Sequence, residues 1–267
     1  MTPPVDHPLN ILTQAILTWG SWGLTGIILL TAVWFGIKER TPFYALLILA
    51  AMVGAFSEPL YDEGLMLWFY TPGMWSHFSA FSIPQPNWTH SGYAVLYGSA
   101  AMFIARQIHF GRLTGRGLYA WAGVELAMSC VFEMFGINGG VYEYWGPHAF
   151  RILHYPIIIG ILEASQVTCF AVAAAELRHR ARHPAALFAL FAIFPMTFYL
   201  ANFGAGAPVI IALHLDTPSP MLVTLGTLVS IAFALCGVRL AASFLPVAPS
   251  RATNSSLAHK SAVAAAS

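Results

Sequence analysis

Seven stretches of about twenty mostly apolar residues recur along this chain, at roughly 15–37, 42–61, 90–108, 117–137, 156–177, 185–204 and 219–243. Each matches the roughly 20 residues that a helix needs to cross a hydrocarbon layer of about 30 Å. In that layer the backbone must bond to itself, which favours α-helices. The sequence therefore predicts an all-α integral membrane bundle of seven transmembrane helices. Residues 1–14 precede it, the helical domain occupies 15–243, and a small, polar, disordered tail follows at 244–267. No internal repeat or linker divides the helical part. The first stretch follows Asp6 and His7 instead of a basic segment, and no small-residue cleavage motif comes after it. It reads as a retained span, not a signal peptide.

Of the 267 residues, 58% are hydrophobic and 9% are charged, against about 25% charged in an ordinary soluble domain. This excludes a soluble enzyme, a disordered chain and a nucleic-acid binder, which needs a basic face. The charges are few enough to read singly. Lys38 and Arg40 follow the first span. Arg106, Arg112 and Arg116 follow the third, and Arg178, Arg180 and Arg182 the fifth. Arg239, Arg251 and Lys260 end or follow the seventh. On the other side Arg151 stands among Asp6, Glu58, Asp62, Glu63, Glu143 and Asp216. The positive-inside rule then puts the N-terminus outside and the C-terminus in the cytoplasm, in a cell membrane.

Several familiar chemistries lack their residues. A retinal Schiff base needs a lysine within a span, and both lysines, Lys38 and Lys260, lie outside the spans. His179 and His183 stand four residues apart in an Arg-rich turn, which fits a solvated loop better than a metal box. His148 and His154, flanking Arg151, could bind an anion or face water, and fit water better. Cys130, Cys169 and Cys236 lie in separate apolar stretches and fit small buried residues better than a disulfide framework. No His-Glu-x-x-His, Gly-x-Ser-x-Gly, Walker or Gly-x-Gly-x-x-Gly motif occurs.

Ionisable groups at membrane depth are costly and by default mark functional sites. Glu58 lies near the outer end of the second span, with Asp62 at i+4 on the same helix face. Glu133 sits about one turn below the outer end of the fourth span, and Glu163 about two turns below the outer start of the fifth. Asn202 is near the outer end of the sixth span, and His90 and Tyr93 open the third. Glu125 is apart, near mid-membrane. Polar groups at similar depth on five spans point to one pocket in the outer half of the bundle. The long outer loop 62–89 carries Trp68, Phe69, Tyr70, Trp75, Phe78, Phe81 and Trp88. It would form an interfacial aromatic belt or wall the pocket.

An apolar site disfavours the ionised form of a carboxyl, and a second carboxyl nearby disfavours it further. A neutral acid then donates a proton while an ionised neighbour accepts one. That pairing suits isomerisation, cyclisation or dehydration of a lipophilic small molecule taken from the bilayer, with no cofactor and no metal. Glu58 is the expected proton donor and Asp62 its tuner or base, with Glu133 and Glu163 as alternatives. His90, Tyr93 and Asn202, with Trp68, Tyr97 and Tyr144, would bind substrate. The same features also fit a binding or transport protein for a lipid or small hydrophobe, or an accessory subunit whose polar residues join helices.

These residues fall in a longer pattern. Glu58-Pro59-x-x-Asp62 is followed by Trp68-Phe69-Tyr70-x-Pro72, Ile83-Pro84, Trp88 and Gly92-Tyr93-x-x-x-Tyr97-Gly98. Glu133 precedes Gly140-Val141-Tyr142-Glu143-Tyr144-Trp145-Gly146-Pro147, Arg151, Tyr155-Pro156 and Asn202. Over roughly residues 20–240 the chain resembles the AveC-like spirocyclases, a family of actinobacterial integral-membrane proteins. The resemblance implies a multi-helix membrane fold. It also implies cofactor-free closure of a dihydroxy-ketone into a spiroketal, with an associated dehydration. It brings no catalytic set with it. The segment Phe35-Gly36-Ile37-Lys38-Glu39-Arg40-Thr41, with an acid near the end of the next span, is more weakly similar to small integral-membrane terpene cyclases of fungal pathways. Those imply protonation of an epoxide or olefin by a carboxylic acid, usually with a second acid in a late span. Residues 219–243 hold no Asp or Glu, which leaves Glu133 or Glu163 for that role. Both resemblances imply acid-driven ring closure on a polyketide- or isoprenoid-type substrate.

Overall fold

The computed structural model describes residues 2–246. Apart from residues 244–246, the tail expected to be disordered lies outside the described residues, as do Arg251 and Lys260.

Helix α1 (Ile11–Glu39) starts where the Asn10 side chain accepts from the Leu12 and Thr13 amides, and stops where Arg40 turns left-handed. Helix α2 (Phe43–Gly54) runs through one 3-10 turn into α3 (Glu58–Leu65), whose first turn holds Pro59. Proline is tolerated there because the first helical N–H has no intrahelical partner. Strands β1 (Leu67–Phe69), β2 (Ser76–Ala80) and β3 (Ile83–Pro86) follow. Helix α4 (Thr89–Tyr93) continues through a π-helical turn at Ala94–Gly98 into α5 (Ser99–His109), and α6 is Gly115–Asn138. After β4 (Tyr142–Tyr144), β5 (Arg151–Ile152) and β6 (Tyr155–Pro156) come α7 (Ile157–Arg180) and α8 (Leu190–Tyr199). A second π-helical turn at Leu200–Ala205 leads to α9 (Ala207–Leu213) and α10 (Pro220–Ser243).

Six helical stretches are long and apolar enough to cross a membrane: Ile11–Glu39, Phe43–Leu65, Gly115–Asn138, Ile157–Arg180, Pro184–Ala205 and Pro220–Ser243. The chain is a largely helical, multi-pass membrane protein. The stretch expected as a further span, 90–108, is helical from 89 to 109 but is not among the six, because His90, Arg106, Gln107 and His109 make it less apolar than the others. The all-α expectation also needs correction. The loops at one end of the bundle pair their backbones into three two-stranded antiparallel ribbons. Loops carry backbone groups that no helix satisfies, and pairing satisfies them.

Helix α7 is the axis of the bundle. Its apolar window is 78% buried, against 28% for those of α1 and α6, whose outer faces are left for lipid. At one end the basic residues gather. Glu39 accepts from Arg106 Nε at 2.8 Å, Arg178 Nη2 at 2.7 Å and the Tyr44 hydroxyl at 2.5 Å, tying α1, α2, α5 and α7 together. At the other end lie the ribbons. In one, β1 pairs with β4, setting Leu67 opposite Tyr144 and Phe69 opposite Tyr142. The segment before α1 is bonded to the loops that flank this ribbon. The Asn10 amide donates to Gly140 at 2.9 Å and the Leu9 amide to Pro72 at 3.2 Å, while His7 stacks on Tyr70 at 3.9 Å.

Candidate functional site

Side chains alternate across a strand, so the β1–β4 ribbon has an inner and an outer face. Leu67, Phe69, Tyr142 and Tyr144 face the bundle, while Trp68 and Glu143, half-buried, take the alternate positions. Under this roof is a cavity of about 40 Å³. Glu58 from the start of α3, Glu133 from α6 and Glu163 from α7 all line it. Tyr93 and Tyr97, four residues apart and on either side of the start of the π-helical turn, supply a second wall, with their rings 4.6 Å apart edge to face. Phe198 packs on both rings, at 5.9 Å and 6.4 Å. A glycine at 136 leaves room for Tyr142, since a Cβ there would overlap its ring.

Each carboxyl meets a hydroxyl from another element. Tyr93 donates to Glu58 Oε2. Tyr144 donates to Glu133 Oε2 at 3.2 Å. Tyr97 donates to Glu163 Oε1 at 2.7 Å, and Ser129 donates to Oε2 of the same carboxyl. Ser129 in turn lies 2.8 Å from the Tyr155 hydroxyl. Tyr61 and Tyr142 also line the cavity, and their buried hydroxyls make no hydrogen bond. Burial first, and then the charge of Glu133, hold the Tyr142 and Tyr144 hydroxyls well above the usual tyrosine range, so both are proton-bearing donors. Among the described residues no Lys, Arg or His lines the cavity. Nor do any three His, Cys, Asp or Glu side chains form a group able to hold a metal ion.

Of the residues expected at the site, Glu58, Glu133, Glu163, Tyr93, Tyr97 and Tyr144 meet at this cavity and four others do not. Asp62 is buried one turn beyond Glu58, where Gln85 of β3 donates to its Oδ2 at 2.6 Å. His90 bonds the Met52 carbonyl at 2.7 Å and packs edge-on against Phe56. Asn202 turns back on its own helix and donates to Phe198 at 3.1 Å, taking a carbonyl next to the π-helical turn. Trp68 faces away by strand parity. His148, expected in solvent, is buried. Its Nε2–H donates to the Leu65 carbonyl at the end of α3, 2.9 Å away, and burial lowers its pKa to about 3. His154 is exposed, as expected.

Reasoning from the sequence passed over Tyr61, Tyr142 and Ser129. The signal for Ser129 was present: it stands four residues before Glu133 on one face of α6. One turn deeper on the same face, Glu125 is fully buried with both oxygens unbonded, and Gln166 on α7 is fully buried with its amide oxygen and nitrogen unbonded. The bonded pair Ser129 and Glu163 sets the antiparallel register of α6 and α7.

Comparison with models of known protein families, with curated proteins and with solved structures finds no match to this chain.

Proposed function

We propose that this chain is a membrane-embedded, spirocyclase-like enzyme. It closes a ring in, or dehydrates, a lipophilic polyketide- or isoprenoid-type substrate by acid–base chemistry without a cofactor. One observation carries this reading: glutamates from three separate helices converge on one cavity under a tyrosine-lined roof, with no cation from the described residues among them.

The proposed enzyme has seven spans. The stretch 89–109 would reach about 30 Å at 1.5 Å per residue, enough to cross. The end where Glu39 holds Arg106 and Arg178 belongs in the cytoplasm of a cell membrane by the positive-inside rule. The cavity then lies in the outer half, and the N-terminus is outside.

Like charges crowded in a low-dielectric cavity repel strongly. The arrangement favours one proton-bearing carboxyl beside an ionised one, which is the working state of an acid–base pair. Glu58 and Glu133 each have one oxygen held by a tyrosine, while their other oxygens make no hydrogen bond to a described residue. Glu163 is occupied at both oxygens and serves to position Tyr97 and Ser129. Glu58 is assigned as the acid and Glu133 as the base. In closure of a dihydroxy-ketone, Glu58 protonates the carbonyl oxygen while Glu133 takes the proton of the attacking hydroxyl. A second closure expels the former carbonyl oxygen as water. Two C–O bonds form, one water leaves, and both carboxyls return to their starting states. Tyr61 and Tyr142 would donate to substrate oxygens.

The test is product formation in membranes that carry the chain, given dihydroxy-ketones or isoprenoid epoxides. Loss of a positioned proton donor or acceptor costs roughly 10²–10⁴-fold in rate. Glu58→Gln and Glu133→Gln should lose that much at normal expression. A parental rate for Glu58→Gln removes its assignment. Retention of these compounds without any product identifies a binding protein instead.

A further inference from the structure

At about 40 Å³ the cavity has room for reacting atoms, whereas pockets that enclose whole ligands of drug size hold roughly 300–1,000 Å³. The rest of a lipophilic molecule needs another place. Outside the cavity, between the helical stretch 89–109 and α6, lies an open groove of about 610 Å³. Val95, Val124, Val131 and Phe135 line it, and Val131 is 73% exposed. From Val124 to Phe135 it follows α6 for roughly 16 Å at the helical rise. Its walls are apolar and face where the bilayer would be.

The groove and the cavity share two side chains, Leu96 and Phe132. Leu96 precedes Tyr97, and Phe132 precedes Glu133. The carboxyl cluster is thus separated from the lipid-facing groove by a partition of two residues. Leu96 sits within the π-helical turn, a local irregularity of the kind found at functional positions in helices. The end of the Phe132 ring points at Gly92, where even an added Cβ would be 3.8 Å away. The ring therefore has no side chain to move aside there when it swings. On the aqueous side, by contrast, four large side chains of the β1–β4 ribbon cover the cavity.

We propose that this groove is the membrane-side port of the site and the binding subsite for the substrate's apolar chain. The occupant is an amphiphile with one long apolar body and hydroxyl or carbonyl oxygens at one end. Its body lies along α6, and its oxygenated end passes between Leu96 and Phe132 to the carboxyls. This deepens the acid–base reading and rests on it, but the port is tested without any turnover.

The probe is dicyclohexylcarbodiimide, a membrane-soluble reagent for protonated carboxyls, compared with a water-soluble, cationic carbodiimide. The acid proton moves to a carbodiimide nitrogen and the carboxylate oxygen adds to the central carbon. The acyl group then shifts to nitrogen and leaves a stable adduct. Full-length protein in liposomes is exposed to each reagent and mapped by peptide mass spectrometry. The apolar reagent should modify Glu58 or Glu133, and Phe132→Trp should slow this at least about tenfold, a barrier change of roughly 1.4 kcal/mol. Phe132→Ala should speed it, and Phe233→Trp on the lipid face of α10 should leave it unchanged. Leu96→Phe serves as the blocking variant if Phe132→Trp does not accumulate. Equal rates in the blocked and parental proteins overturn the port. So does faster modification by the water-soluble reagent, or no modification of either glutamate by the apolar one. Product formation by the same preparations reports on the acid–base reading separately.

Discussion

Tyr97, from the helical stretch 89–109, donates its hydroxyl to Glu163 of α7 across 2.7 Å, and the two residues are 66 positions apart in the chain. Tyr97→Phe leaves one oxygen of a buried carboxyl unpaired, which costs roughly 1–3 kcal/mol. We expect a lower unfolding midpoint in detergent, with a smaller loss of product formation than Glu58→Gln shows. If Tyr97→Phe abolishes turnover at unchanged stability, Glu163 takes part in the chemistry and does more than position its neighbours.

Tyr61 and Tyr142 present the opposite case, since their buried hydroxyls have no partner to lose. Removing an unsatisfied buried polar group is close to neutral. Tyr61→Phe and Tyr142→Phe should therefore unfold within about 0.5 kcal/mol of the parent. Their effect should fall on substrate affinity, measured as a raised KM. Destabilisation well beyond that bound, at unchanged KM, would show that these hydroxyls serve only the fold.

His148 makes the roof sensitive to acid. Its pKa falls from an ordinary value near 6.5 to about 3 because burial disfavours the charged ring. The neutral form fits the fold, so the stability it contributes is complete above about pH 6.5. That contribution declines by about 1.4 kcal/mol for each pH unit below this value, until the folded-state pKa is reached. Thermal midpoints taken from pH 7 to pH 4 should fall more steeply for the parent than for His148→Gln, which keeps a donor for the Leu65 carbonyl. Parallel curves would refute this role.

At the basic end, Glu39→Gln weakens contacts to Arg106 and Arg178, whose side chains are 30% and 8% exposed. Between the small worth of surface pairs and the larger cost of breaking buried ones, about 2 kcal/mol is expected. Product formation per folded molecule should not change, because this end lies across the bundle from the cavity.

Orientation has its own test. With Cys130, Cys169 and Cys236 replaced by Ala, a cysteine at Asp216 should react with an impermeant maleimide on intact cells. A cysteine at Arg112 should react only after the cells are opened. The reverse pattern inverts the topology.

Much of the helical architecture was legible because runs of apolar residues are a coarse signal that survives any detail of packing. The π-helical turns at Ala94–Gly98 and Leu200–Ala205 left no such mark, and neither did strands of two or three residues. The site was legible to the extent that depth decides it. Glu58, Glu133 and Glu163 were grouped by their distance from helix ends, and they share a cavity. Depth says nothing about direction around a helix or parity along a strand. Asn202 has the right depth but serves its own backbone, and His90 faces α2. Trp68 stands one residue out of step with Leu67 and Phe69. Asp62 shares a helix face with Glu58, yet one further turn takes it past the cavity to Gln85.

The hydrogen bonds from Leu9 and Asn10 to Pro72 and Gly140 join the start of the chain to the loops that flank the β1–β4 ribbon. An affinity tag or reporter fused ahead of α1 would pull on that same attachment. Purified samples made that way are expected to differ in activity from those tagged after α10. Handles for immobilisation or imaging therefore belong at the carboxyl end.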